Sequence, residues 1–452
     1  MDPAQTTRLL RAARLAMGGR ADVRPYAGEG EDDWTFALVA ESLNIESETP
    51  LLISTVDGGR PSVFCLKHPD ALVVVMNPRQ ARAFEDFRRL FTGLYEGEGL
   101  RLVARRTLFR TVAQFALRPG SDEGAAAAFA EVLATVPPPA NPSHDLVEIF
   151  RGSADIADCA YIISRFFALA HEVGHAVVSA DKVSARFARG FSDELIEGAL
   201  ARGILALVKQ APRFQNASTY FIGPERLPLC DPAHIREEIG ADLFALNVLI
   251  NPTVAAMGRE SSSPLDLRVF ALEHARMSLA STYIARCRRI GLALAAGEVS
   301  PVADVELALQ GIVDNIRLRM TQHQMTYTLA RLWSREEEPP QANLDRMSEV
   351  LREIDAHLRA FLPAIEAAMA DVMAFLAATF RSDPLDKYPD LFTEVFEHWS
   401  VDIPASNPLA GLGGANFGAV DEARDFLALA EEVGASGALL LQLRRIVDER
   451  TD

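Results

Sequence analysis

Cysteine is scarce. The chain of 452 residues has four, Cys65, Cys159, Cys230 and Cys287. They lie far apart and make no C-x-x-C, so neither a disulfide framework nor a thiolate zinc site is suggested, and their scarcity fits a reducing cytoplasm. Basic charge is also short. Lys and Arg number 45 against 62 Asp and Glu, a formal net charge of −17. This argues against non-specific binding to nucleic acid or to anionic membranes, which needs basic surface. The local cluster Arg101, Arg105, Arg106 and Arg110 reads as the solvated face of a helix. No stretch of about 18 uninterrupted apolar residues occurs, so no membrane span is expected. Residues 1–20 lack a continuous apolar h-region, and Leu9, Leu10, Ala13, Leu15 and Met17 mark a short amphipathic helix instead. What the chain does have is apolar mass. Hydrophobic residues make up 49% of it, which marks a globular chain and not a disordered one, and 452 residues are long enough for two or three domains and at least one sizeable core.

Three runs, at 51–56, 62–66 and 71–76, read as strands between turn signals at 57–59 and 67–70. They predict a small antiparallel β unit, with 71–76 its strongest strand. Helical patterns cover 79–94, 100–117, 122–135, 160–178, 191–210, 234–250 (closed by Asn251-Pro252), 264–296, 302–333, 344–380, 390–399 and 421–448. Residues 136–142, Val-Pro-Pro-Pro-Ala-Asn-Pro, are an extended spacer, because proline locks φ and restricts the residue before it. The stretch 335–340 is the clearest boundary in the C-terminal half. The glycine-rich stretch 411–418 follows no strand and lacks Gly-Lys-Ser/Thr, which makes it a connector rather than a phosphate cradle. The expected fold is mainly α with a small antiparallel β-sheet (α+β). It divides into an N-terminal helical segment (1–45), a β unit (46–95), an inserted helical region with its spacer (96–143), a unit bearing the motifs below (144–300) and a C-terminal helical domain (301–452).

The chemistry-bearing stretch is His171-Glu172-Val173-Gly174-His175, an H-E-x-x-H inside the helix at 160–178. Positions four apart share a helical face, so His171 and His175 can present two imidazoles to one ion. Glu172 lies beside them, placed to take a proton from a zinc-activated water. Two histidines do not close a zinc site, and a glutamate on a second helix would supply the third ligand. The segment Arg236-Glu237-Glu238-Ile239-Gly240-Ala241-Asp242 fits. Glu238 and Asp242 share a face, Glu238 to bind the metal and Asp242 to accept from the far ring nitrogen of a ligand histidine. Glu237 is the rival ligand, but its i+4 neighbour is Ala241, which can do neither job.

H-E-x-x-H followed about sixty residues later by E-x-x-A-D-x-x-A resembles the gluzincin metallopeptidases, and within them the minigluzincins, over roughly residues 50–290. That resemblance implies a zincin-like catalytic core with added helical regions. It implies Zn2+ held by His171, His175 and Glu238, with Glu172 as the base and Asp242 behind the ligands. It implies a cytoplasmic zinc endopeptidase acting on a narrow set of protein or peptide substrates, one of whose strands, 62–66 or 72–76, pairs with the substrate by β-addition.

Two features depart from that pattern. About a hundred residues separate the β unit from His171, which implies an inserted helical region. Where prenyl-protease-like relatives carry His-Pro-Pro ahead of Arg-Ile, this chain has Ser262-Ser263-Pro264, then Arg268-Val269. The oxyanion donor is therefore open among His274, Tyr283, His234 and Tyr220. An alternative function is a regulatory or sensor module, a latent or inactive protease acting by protein–protein interaction in stress or phage-defence regulation, with the C-terminal helical domain holding a regulatory partner protein.

Overall fold

The structure, a computed structural model, describes residues 2–16, 22–25, 39–43, 49–57, 62–93, 95–117, 123–134, 154–178, 191–210, 212–221, 226–256, 264–296, 301–334, 339–379 and 417–449. The spacer at 136–142, the helix expected at 390–399, Ser262, Ser263, and most of the 335–340 and 411–418 stretches lie outside them. The chain is mainly α-helical with one small sheet, as its patterning predicts. No helix among the described residues is long and apolar enough to cross a membrane.

The strands are β1 (Asp22–Pro25), β2 (Leu51–Asp57), β3 (Val63–His68) and β4 (Ala71–Met76), in the order β1-β2-β4-β3. The sheet is mixed rather than wholly antiparallel. β3 and β4 form a hairpin across Pro69-Asp70, with His68 opposite Ala71. β2 lies parallel to β4 on its other edge. The reason is burial: β4 is buried along its whole length. A strand so apolar needs both edges paired, so β2 takes the edge that the hairpin leaves open. β1 adds antiparallel to β2. Side chains alternate across the sheet. Val73 and Val75 meet Leu9 and Ala13 of helix α1 (Pro3–Ala16), while Leu72, Val74 and Met76 join the main core on the opposite face.

Helices α2 (Pro78–Arg89), α3 (Gly97–Ala116), α4 (Glu123–Ala134), α5 (Ala154–Val178), α6 (Asp193–Gln210), α7 (Pro232–Ala256), α8 (Pro264–Ala296) and α9 (Pro301–Ser334) follow. α3 runs through the middle, packed by α4 and α8. That position corrects the reading of its arginines as a solvated face. Arg106 is buried. Arg101 pairs with Asp371 at 3.0 Å, Arg105 with Glu131 at 2.5 Å, and Arg110 with Asp86. A central helix has little solvent to offer, so its cations reach acids on its neighbours.

Three helix ends differ from expectation. α7 continues through Asn251-Pro252 to Ala256; an internal proline removes one backbone hydrogen bond, and the buried turn before it, Val248 to Ile250, holds the helix in register. The stretch 344–380 is two helices, α10 (Gln341–Arg359) and α11 (Leu362–Thr379). Pro363, whose missing N–H costs nothing in a helix's first turn, starts the second. The stretch 421–448 is likewise two, α12 (Phe417–Glu432) and α13 (Gly437–Glu449). Gly434, at φ 70, turns the chain between them, and Ala435 N–H closes the helix end on the Ala430 carbonyl at 2.9 Å.

α5 and α7 are apolar almost all round and sit deepest in the core. Phe166, Leu169, Ala170 and Val173 of α5, and Ile239, Leu243, Phe244 and Leu246 of α7, are fully buried. They touch backbone to backbone. A methyl group on Gly174 would lie 2.9 Å from the Ala241 Cα and 3.1 Å from its carbonyl oxygen. Gly174→Ala should therefore cost about 1–3 kcal/mol in denaturant unfolding, more than its higher helix propensity returns. A variant as stable as the parent would show that the helices are not held this close.

Candidate metal centre

Gly174 stands one residue before His175 and three after His171. Ala241 stands one residue before Asp242 and three after Glu238. The Gly174–Ala241 contact therefore sets the two i,i+4 pairs face to face across the α5–α7 crossing. His171 Nε2 lies 3.1 Å from His175 Nε2. Glu238 approaches His175 Nε2 to 3.3 Å through Oε1 and His171 Nε2 to 3.7 Å through Oε2. The two rings are perpendicular, so their nitrogens converge rather than stack. These three residues are the group among the described residues whose ligand atoms are close enough to share an ion.

Behind them, His171 Nδ1 lies 2.9 Å from Asp242 Oδ1, a close contact but bent away from the N–H direction. Glu237 meets His175 Nδ1 at 3.4 Å, on the outer side of the ring. It faces away from the convergence point, so of the two glutamates it is Glu238 that points inward. Glu172 lines the same cleft and has no hydrogen-bond or ion-pair partner among the described residues.

The sequence reading missed one member of this cluster, Arg317. It comes from α9, in the region expected to form a separate C-terminal domain. Its Nη1 is 2.8 Å from Glu238 Oε2, and its Nη2 is 3.1 Å from both Asp242 oxygens. α9 packs on α6, α7 and α8, which carries Arg317 inward. The available signal was a cation beside the apolar stripe Leu309, Val313, Ile316 and Met320. Arg268, the arginine that follows Ser262-Ser263-Pro264, is exposed and pairs with Glu353 at 2.5 Å.

Burial sets the charge balance. It would raise the carboxyl of Glu238, but Arg317 and the two histidines hold it well below the usual carboxylate range. The same opposition, with Arg317 and His171 prevailing, holds Asp242 low. Burial also works against a charged His175, yet Glu238, Glu172 and Glu237 raise its pKa to about 9. The centre is thus built of ionised carboxylates around imidazoles, an environment that favours positive charge between them.

The cleft above this cluster has a volume of about 450 Å³. One rim is Ser62 and Val63, at the start of the edge strand β3. Residues of α8 line the cleft as well, as do Phe84 and Phe167. Cys65 of β3 lies close enough to Glu172 to feel its charge; burial first, and that charge second, push its thiol up to about 11. Of the four candidate oxyanion donors, His234 lines the cleft. Tyr283, itself on α8, is buried and donates to Glu366 at 2.7 Å. Tyr220 ends a 3₁₀ segment, Pro212–Tyr220, away from the cleft lining. His274 is buried edge-on against Phe167, 5.6 Å between ring centres. β4 is central and has no free edge, so of the two strands considered for substrate pairing β3 is the one on the cleft. No described residue C-terminal to Arg317 lines the cleft. Comparison with known proteins finds no matching family model, no matching curated protein and no matching solved structure.

Two outcomes follow from the buried charges. Arg317→Leu strands two buried carboxylates and should cost about 3–5 kcal/mol in urea unfolding, with Arg317→Lys recovering part; an unchanged midpoint would remove Arg317 from the cluster. His274 is held neutral chiefly by burial, its pKa lowered to about 4. Its folded pKa lies below its unfolded value, so its contribution is whole above about pH 6.5 and is lost as pH falls towards 4, about 3 kcal/mol in all. His274→Leu should flatten the stability profile in that window, and an identical slope in parent and variant would contradict this.

Proposed function

We propose that this chain is a zinc-dependent peptidase of gluzincin type, with His171, His175 and Glu238 as the zinc ligands. The observation that carries the reading is the spacing of the three ligand atoms. A tetrahedral ion with bonds of about 2.0–2.1 Å holds its ligands about 3.3 Å apart. Here the separations are 3.1, 3.3 and 3.7 Å. Three protein ligands facing a cleft are the pattern of a catalytic ion rather than a closed structural one. Zinc bound there would lower the pKa of a water molecule towards neutrality and polarise a carbonyl.

The remaining steps belong to the protein's own residues. Glu172, unpaired in the cleft, accepts a proton from the attacking water. The water oxygen bonds to the peptide carbonyl carbon. Glu172 then passes that proton to the amide nitrogen as the C–N bond breaks, leaving a carboxylic acid and an amine, and the water's second proton moves from the acid to the amine to give carboxylate and ammonium. His234, lining the cleft, is the best placed of the four candidates to donate to the carbonyl oxygen as it gains charge. The edge strand β3 aligns an extended substrate by main-chain pairing. Arg317 keeps Glu238 ionised and Asp242 in place. In the alternative reading, a regulatory module acting by protein–protein contact, an unpaired glutamate beside an open cleft has no task.

Glu172→Gln should bind zinc as the parent does, by elemental analysis, yet lose about 10²–10⁴-fold in turnover of a mixed peptide library followed by mass spectrometry. His171→Ala should lose the metal. A Glu172→Gln protein with full activity would sink the mechanism.

A further inference from the structure

One face of α8 lines the cleft. Ser281, Ile284, Ala285, Arg288 and Leu292 follow helical spacing and all line the cavity, together with Arg289. Arg288 is the centre of that face. It is exposed and has no ion-pair or hydrogen-bond partner among the described residues. Arg289 is about a third exposed, and its one ion-pair partner there is Glu306 at 3.8 Å; its Nη1 is out of solvent yet makes no hydrogen bond. This contrasts with Arg317 in the same cleft, whose guanidinium is bound by two carboxylates. It contrasts also with Arg286, one turn away from Arg289, which pairs with Glu366 at 3.0 Å.

A structural role does not account for the pair. The helix dipole is felt within the last turn of a helix, and Arg288 lies two turns before the end of α8 at Ala296. Acids outnumber bases in this protein by 62 to 45, so two guanidinium groups on this cleft with no carboxylate at hydrogen-bond distance are not explained by a shortage of partners. With zinc bound, Glu172, Glu238 and Asp242 at the centre would be offset by the ion and Arg317. The excess positive charge of the cleft therefore sits on Arg288 and Arg289. A guanidinium fork matches a carboxylate bidentately, and Ile284 and Leu292 flank it with apolar surface for a side-chain stem.

We infer that Arg288 and Arg289 form a subsite for a substrate carboxylate, so that the peptides taken by this cleft carry an aspartate or glutamate near the scissile bond. This rests on the peptidase reading. The same chemistry would also seat a free C-terminal carboxylate, and the test separates the two.

The test reads binding, not turnover. Full-length, zinc-loaded Glu172→Gln protein is titrated by fluorescence anisotropy with labelled octapeptides, N-acetylated and C-amidated, each with Glu, Gln or Lys fixed at one position. Glu peptides should bind at least about tenfold tighter than their Gln counterparts at one position, and the difference should shrink as NaCl is raised. Adding Arg288→Gln and Arg289→Gln should abolish the preference with no change in thermal midpoint, and Arg288→Glu should shift it towards Lys peptides. A preference seen with uncapped peptides alone assigns the subsite to the chain terminus. Equal affinity for Glu and Gln peptides, capped and uncapped, or a preference that survives both substitutions, overturns the inference and leaves the peptidase reading standing. Selective binding of acidic peptides that the parent protein does not hydrolyse keeps the subsite and overturns the peptidase reading.

Discussion

The contact between Gly174 and Ala241 is the constraint on which the rest of the centre depends. Two helices that are apolar almost all round would meet wherever their side chains allowed. A glycine against an alanine lets the backbones meet at this point. Because each small residue holds the same place within its own i,i+4 pair, the crossing that brings them together also aims His171 and His175 at Glu238 and Asp242. Packing and chemistry are therefore one feature. A larger side chain at either position would separate the helices and the ligands together.

Burying carboxylates beside imidazoles is costly unless charge is supplied. Part of that charge comes from Arg317, and this gives α9 a reason to lie against α7 and α8. Arg317 spans Glu238 and Asp242, so it sets both an inward-facing oxygen and the residue behind His171. Two carboxylates against one guanidinium leave unbalanced negative charge on the side facing the imidazoles, which draws positive charge to the point where the two Nε2 atoms converge, with Glu172 nearby and unpaired. That residue of negative charge, together with ligand separations close to those of a tetrahedral ion, supports the proposed zinc site more than the motif alone does.

The helical pattern was legible wherever the apolar period was long. The helices at 264–296 and 302–333 are found within a residue of those bounds. The H-E-x-x-H pair and the Glu238/Asp242 pair were legible because spacing on a helix fixes which side chains share a face. What periodicity carries no information about is which helix lies next to which. Arg317 is 75 residues from Asp242, and nothing local to it names its partners. The same blindness made the α3 arginines look solvated, when they bridge to acids on α2, α4 and α11. It also hid the parallel β2–β4 pairing, which follows from the burial of β4 on both faces. The helix breaks at Pro363 and Gly434 were present in the sequence but were outweighed by the apolar pattern around them. Among the candidate oxyanion donors, His234, Tyr220, His274 and Tyr283 can all donate a hydrogen bond; burial, the cleft lining and the Glu366 hydrogen bond separate them.

The central claim is that one zinc ion is held by His171, His175 and Glu238 with a position left open to the cleft. X-ray absorption at the zinc edge, on protein loaded with one equivalent of zinc, tests it most directly. The account predicts a first shell of nitrogen and oxygen at about 2.0–2.1 Å, with the outer-ring scattering of two imidazoles. The spectrum should change on addition of a hydroxamate that enters the open position. A sulfur shell at about 2.3 Å, a single imidazole, or a spectrum indifferent to hydroxamate would contradict it.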